Sequence, residues 1–166
     1  MTDQKARDLL IVGLRNAHAM ETQARELMER QSERTGEYPE VQAKLRRHLD
    51  ETRQQLQRLE DCLERCGESE SKFKDVAMST VANIMAMGHA MASDEILKNT
   101  FANNAFENYE IAAYKSLLAL SKRAGIDLSS PLEASLREEQ QMAEWIDTHV
   151  EDVTLQYLAK EERAAA

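Results

Sequence analysis

The chain has 166 residues, enough for one domain with a real core, and sets 21 Lys+Arg against 30 Asp+Glu for a net charge of −9. That balance argues against a nucleic-acid partner, which needs a basic face, and against docking on an anionic membrane surface. Two prolines, five glycines and three phenylalanines stand beside abundant Ala, Leu, Met, Glu, Gln, Arg and Lys, so an all-α fold is expected before any periodicity is counted.

In chain order, the spacing predicts a first helix over 4–35, whose apolar residues Leu10, Leu14, Ala17, Ala24 and Met28 step by three and four with one slot skipped. Gly36 reads as its stop, and Pro39 suits the first turn of a second helix over 38–66. The seam of that helix is Val41, Leu45, His48, Thr52, Gln55, Leu59 and Cys62, and Gly67 reads as its stop. A shorter helix over 72–91, with Met78, Met85, Met87 and Met91 as packing filler, is expected to bridge to the third. Its weakly polar run from Val81 to Ala92 is broken by Asn83 and His89 and is too short to span a bilayer.

The third helix is predicted over 94–124, with Phe106, Ala113, Leu117 and Leu120 on its seam and Gly125 as its stop. A fourth is predicted over 131–160, opened by Pro131 inside a Ser130/Glu133 capping box and carrying Leu132, Leu136, Ala143, Ile146, Val150 and Val153. Residues 161–166 read as a frayed tail. Four helices of about 30 residues, each about 45 Å long, with short loops within each pair, make an antiparallel four-helix bundle. The second and third are joined by a long crossover, and the whole chain, 1–166, is one domain.

The skipped slots carry the chemistry. They are Glu21 in the first helix, Glu110 in the third and Glu139 in the fourth, each where its own pattern asks for an apolar residue. The second helix puts His48 on its seam with Glu51 one turn along, and Glu107 lies one turn before Glu110. An interior with five carboxylates and one imidazole is untenable without compensation, and the seams supply no arginine. Two divalent ions would supply four positive charges and take these groups as ligands.

Counting from the loops, Glu21 and Glu51 each lie 15 residues from Gly36 and should meet at one height. Glu110 lies 15 before Gly125, whereas Glu139 lies nine after Ser130, a mismatch of about 9 Å at 1.5 Å per residue unless the loop climbs or the third helix ends early. Glu144 matches the height better but leaves the seam, so it is held in reserve. Taken singly, each of these residues has an ordinary structural reading, and their joint occurrence on four helices favours metal. His18, three before Glu21, reads as a neighbour of the site, and His89 and His149 read as structural. Cys62 and Cys66, one turn apart, read as small buried residues in a reducing cytoplasm, and no charged-then-apolar leader opens the sequence. Tyr109, Tyr114 and Trp145 read as interior or interface aromatics.

Four stretches carry a resemblance: RNAHAMETQA (15–24), HLDETRQQ (48–55), FENYEIAAYKSLL (106–118) and EEQQMAEW (138–145). With them the sequence resembles the ferritin-like superfamily, and within it the YciE/YciF family of bacterial stress proteins, nearest the YciE branch. The resemblance implies a homodimeric ferritin-like bundle with Glu21, Glu51, Glu107, Glu110 and Glu139 as metal carboxylates and His48 at or beside the site. Three departures stand out: the order His48-x-x-Glu51 is reversed, Met142 stands where a second histidine would fall, and Asn108 replaces a histidine common in relatives.

The expectation is a cytoplasmic protein binding two iron or manganese ions and reacting with peroxide or O2. Glu51 and Glu110 are the expected bridges, Glu21 and Glu139 the terminal ligands, and Glu107 a movable one. The alternative is a non-enzymatic helical dimer acting as an interaction scaffold.

Overall fold

The computed structural model describes residues 2–68 and 95–165. These form α1 (Thr2–Arg34), α2 (Pro39–Arg65), α3 (Glu95–Ala124) and α4 (Ser129–Ala164), with no strand among the described residues. The expected helix over 72–91 and the crossover, with His89 and the four bridge methionines, lie outside the described residues. No described helix is long and apolar enough to cross a membrane.

The chain punctuation explains the helix ends. Pro39, which needs no amide partner, opens α2. Gly67 and Gly125 take left-handed φ values of 81° and 66°. Each closes its helix by folding two amides back: Gly67 N–H to Glu64 O and Glu68 N–H to Leu63 O, then Gly125 N–H to Lys122 O and Ile126 N–H to Ser121 O. Gly36 sits in the turn after α1 without a left-handed φ, and that turn is held by the amides of Thr35 and Tyr38 instead. α4 starts two residues before Pro131, with Leu128 in the cap position and no side-chain cap, so Ser130 is not the N-cap. Asp127 Oδ1 accepts the Ser129 N–H (3.1 Å) and Oγ–H (2.5 Å) there, while Leu128 is fully buried.

α1 and α4 each pack against both α2 and α3. All four neighbouring pairs are antiparallel. On α1, Arg7 donates to Cys66 O near one end of α2, and Ser32 O accepts from Gln42 near the other. Asp3 pairs with Arg123 of α3, and Gln31 exchanges amide hydrogen bonds with Asn103. The end of α2 therefore lies beside the start of α1, whereas Glu95 at the start of α3 pairs with Arg34 at the other end, 3.0 Å away.

Beside a small cluster of Tyr38, Ile96 and Val153, two larger apolar clusters fill the bundle. One joins Leu10, Leu14, Leu59, Leu63, Leu117 and Leu132, and the other joins Ala24, Met28, Leu45, Leu49, Met142 and Ile146. The skipped slots fall between them. On α3 and α4 the buried seam includes Tyr114, Ser121, Ser135 and Met142, while the expected Ala113, Leu120, Leu136 and Ala143 are half-buried beside it. Apolar spacing found Leu117, Leu132, Ile146 and Val153 but stepped one residue aside at the others, where Tyr114, Ser121 and Ser135 take the buried slots.

The α3–α4 turn also settles the height of Glu139. Ser121 Oγ donates to Ile126 O and accepts the Leu128 N–H, so the connection folds back alongside the last turn of α3. Glu110 is 11 residues before Ser121 and Glu139 is 11 after Leu128, so both sit about 16 Å from that level. The mismatch disappears, and Glu144 is exposed. Because this turn needs a left-handed residue, Gly125→Ala should cost about 1–2 kcal/mol in a urea unfolding titration. An unchanged midpoint would mean that the turn does not set the register.

Candidate metal centre

The layer between the apolar clusters is built from Glu21 of α1, His48, Thr52 and Gln55 of α2, Glu107 and Glu110 of α3, and Glu139 of α4. Glu21 and Glu139 are 0% exposed, His48 and Glu110 1%, and Glu107 4%. The imidazole of His48 is central. Its Nε2 lies 3.2 Å from Glu107 Oε2 and 3.3 Å from Glu139 Oε2, and its Nδ1 lies 2.8 Å from Glu51 Oε2. One ligand atom from each of His48, Glu107 and Glu139 falls within 4.8 Å of the other two, a spacing that can hold a metal ion.

A second set of contacts fixes these carboxylates from outside. Gln55 Nε2 donates to Glu139 Oε1 and, at 3.0 Å, to Glu138 Oε2. Arg58 grips Glu138 with both terminal nitrogens, at 2.6 and 2.8 Å, and reaches Ser135 Oγ at 3.3 Å. That guanidinium is thus engaged by a carboxylate at the rim rather than by the buried ones. Tyr114, fully buried, donates its hydroxyl to Glu21 Oε1 at 2.6 Å. Glu21 Oε2, Glu110 Oε1 and Gln55 Oε1 are buried without hydrogen-bond partners. Buried oxygens left bare in this way are what a cation would satisfy.

The electrostatics follow from burial. Desolvation, reinforced by Glu139, raises the Glu21 pKa well above the carboxylate range, and desolvation with Glu21 does the same to Glu110. Burial and Glu107 push Glu139 up to about 7 against the pull of His48. For His48, burial opposes the charged form, but hydrogen bonds to Glu107, Glu139 and Glu51 outweigh it and hold the pKa well above normal. The His48 hydrogen bond lowers Glu51, and burial followed by the Glu21 charge raises Tyr114.

Of the residues singled out in the sequence, the structure brings His48, Glu107 and Glu139 together and buries Glu21 and Glu110 in the same layer. Glu51 is half-buried and meets the other nitrogen of His48. His18 turns its Nε2 to Glu60 at 3.2 Å. His149 stacks on Trp145 and bonds its carbonyl, and Tyr109 is exposed. Cys62 and Cys66 are free and buried, and burial pushes the Cys62 thiol up to about 12, which leaves it inert. Sequence reasoning gave no site role to Tyr114, Gln55 or the Arg58–Glu138 pair. Two signals were present: Tyr114 lies one turn beyond Glu110, and Gln55 holds a seam slot that apolar packing does not want.

The fold and its buried imidazole–carboxylate cluster define a helical bundle with a candidate metal centre in its core. Residues 5–159 match the family described as a domain of unknown function, DUF892, and the chain belongs to that family. It is also similar to a protein of Xanthomonas campestris pv. campestris known by its crystal structure. The two share 30% identity and a TM-score of 0.79 over 95% of this chain and 99% of that one.

The shifted groups give a pH prediction for the metal-free protein. Glu21, Glu110, Glu139 and His48 all bind protons more tightly folded than unfolded, so stability falls as pH rises through their folded pKa values. The opposite contribution from Glu51 fades only below its ordinary carboxylate range. Melting temperature should therefore fall as pH rises from 6 through about 7, where Glu139 loses its proton, each kcal/mol lost moving it by about 2–4 °C. A rise in melting temperature as pH passes upward through 7 in differential scanning calorimetry would contradict the charge assignment.

Proposed function

We propose that this chain is a ferritin-like metal-carboxylate protein that holds two divalent ions, iron or manganese, in its bundle core. The observation that carries the reading is the buried convergence of His48 Nε2 with Glu107 and Glu139. Charge supports the count of two, because Glu21, Glu107, Glu110 and Glu139 together carry four negative charges when ionised, which two divalent ions neutralise.

His48, Glu107 and Glu139 would hold one ion, and Glu21 and Glu110, buried in the same layer, would hold the other. Glu51 orients the imidazole through Nδ1, as a carboxylate behind a metal-bound histidine does, rather than bridging the ions. Gln55 and Tyr114 fix one oxygen each of Glu139 and Glu21 and leave the other oxygen for a ligand role. When bound as Fe2+, the pair supplies two electrons in becoming Fe3+, enough with two protons to reduce dioxygen to hydrogen peroxide or hydrogen peroxide to two waters. The resemblance to YciE-type proteins supports a part in bacterial stress, as a cytoplasmic homodimer.

One observation favours a second reading. A protonated His48 satisfies both its nitrogens on carboxylates, so the cluster can stand as a polar core in a scaffold without metal.

Anaerobic titration with Fe2+ or Mn2+, followed by elemental analysis, separates the two readings. The metal reading expects about two ions per chain, a raised melting temperature, and loss of binding in Glu139→Gln with helicity kept. A folded wild type that takes up neither ion and melts unchanged in their presence would favour the scaffold.

A further inference from the structure

A small cleft opens between α2, α3 and α4 beside the cluster. Three of its lining residues, Leu45, Asn103 and Met142, lie one helical turn from His48, Glu107 and Glu139 respectively. The cleft therefore reaches all three helices of that triad at once, next to it along the bundle axis. Its free space is about 20 Å³ for the centre of a water-sized molecule, room for a guest of very few atoms. It runs along the α2–α4 seam, with Thr100 and Asn103 of α3 closing one side.

Its chemistry is apolar. Aliphatic and aromatic side chains make most of the wall, and the polar groups present are engaged elsewhere. Thr100 donates its hydroxyl to Ile96 O, Asn103 exchanges amide hydrogen bonds with Gln31, and His149 Nδ1 meets Trp145 O at 2.7 Å. A guest here is offered volume and dispersion but few hydrogen bonds. Hydrogen peroxide would give up its water hydrogen bonds on entering, whereas an uncharged diatomic gas has none to lose. A larger apolar cavity, of about 150 Å³, stays dry and takes up xenon, and this cleft offers a mostly apolar wall on a smaller scale.

We infer that this cleft is the entry and waiting place of dioxygen beside His48, Glu107 and Glu139, which makes dioxygen rather than peroxide the oxidant that uses this route. The inference rests on the metal reading above. Val41→Trp at the cleft closes the route, and Trp145→Ala widens it; neither residue belongs to the metal cluster.

Crystals of the wild type pressurised with xenon should hold a xenon atom in the cleft, and those of Val41→Trp should not. In stopped-flow oxidation of the Fe2+-loaded protein, Val41→Trp should slow the reaction with dioxygen about tenfold and Trp145→Ala should speed it. The rate with hydrogen peroxide and the Fe2+ stoichiometry should hold within about twofold. An empty cleft under xenon, bound Fe2+ that ignores dioxygen, dioxygen rates unchanged in both variants, or equal slowing of both oxidants would overturn the inference and leave the metal reading standing. A wild type that binds no Fe2+ overturns the metal reading and this one with it.

Discussion

Four carboxylates share a buried layer with a single imidazole, and the rest of the architecture answers to that imbalance. Each ionised carboxylate taken from water carries a penalty of several kcal/mol unless an opposite charge or strong donors replace the solvent. His48 can offset one charge, and Gln55 and Tyr114 offer neutral donors to two of the groups. Arg58, at the rim, is taken by Glu138. Without an added cation the layer has two ways to relieve itself. It can protonate, as the raised pKa values of Glu21, Glu110 and Glu139 imply, or it can loosen.

The bundle is arranged so that it does not loosen easily. Apolar clusters brace the layer on both sides along the axis, and the left-handed turns at Gly67 and Gly125 fix where α2 and α3 end. Ser121 links the two requirements. Its hydroxyl holds the α3–α4 connection against the last turn of α3, which brings Glu139 level with Glu110. Carboxylates from different helices meet because a loop several turns away is folded back by one residue's hydrogen bonds.

Much of this was legible in the sequence. Helix formers and sparse glycine and proline gave the class, and interrupted apolar spacing placed Glu21, Glu110 and Glu139 in the core. The buried positions of α2, from Leu45 to Cys62, match their seven-residue pattern. On α3 and α4 the same method found Leu117, Leu132, Ile146 and Val153 but missed Tyr114, Ser121 and Ser135, buried residues with hydroxyl groups that an apolar count passes over. The height of Glu139 stayed open for a different reason: a ruler laid along the helices needs the course of the loop, and this loop folds back alongside α3. Gly36 shows the limit of reading glycines as helix stops, since its turn needs no left-handed residue.

The most direct test of the central claim is anomalous diffraction at the iron edge from crystals grown anaerobically with Fe2+. The account predicts an iron peak bounded by His48 Nε2, Glu107 and Glu139, and a second beside Glu21 and Glu110, with Glu51 retained on His48 Nδ1. No peak in the layer, with well-ordered carboxylates sharing protons around an imidazolium, would contradict it.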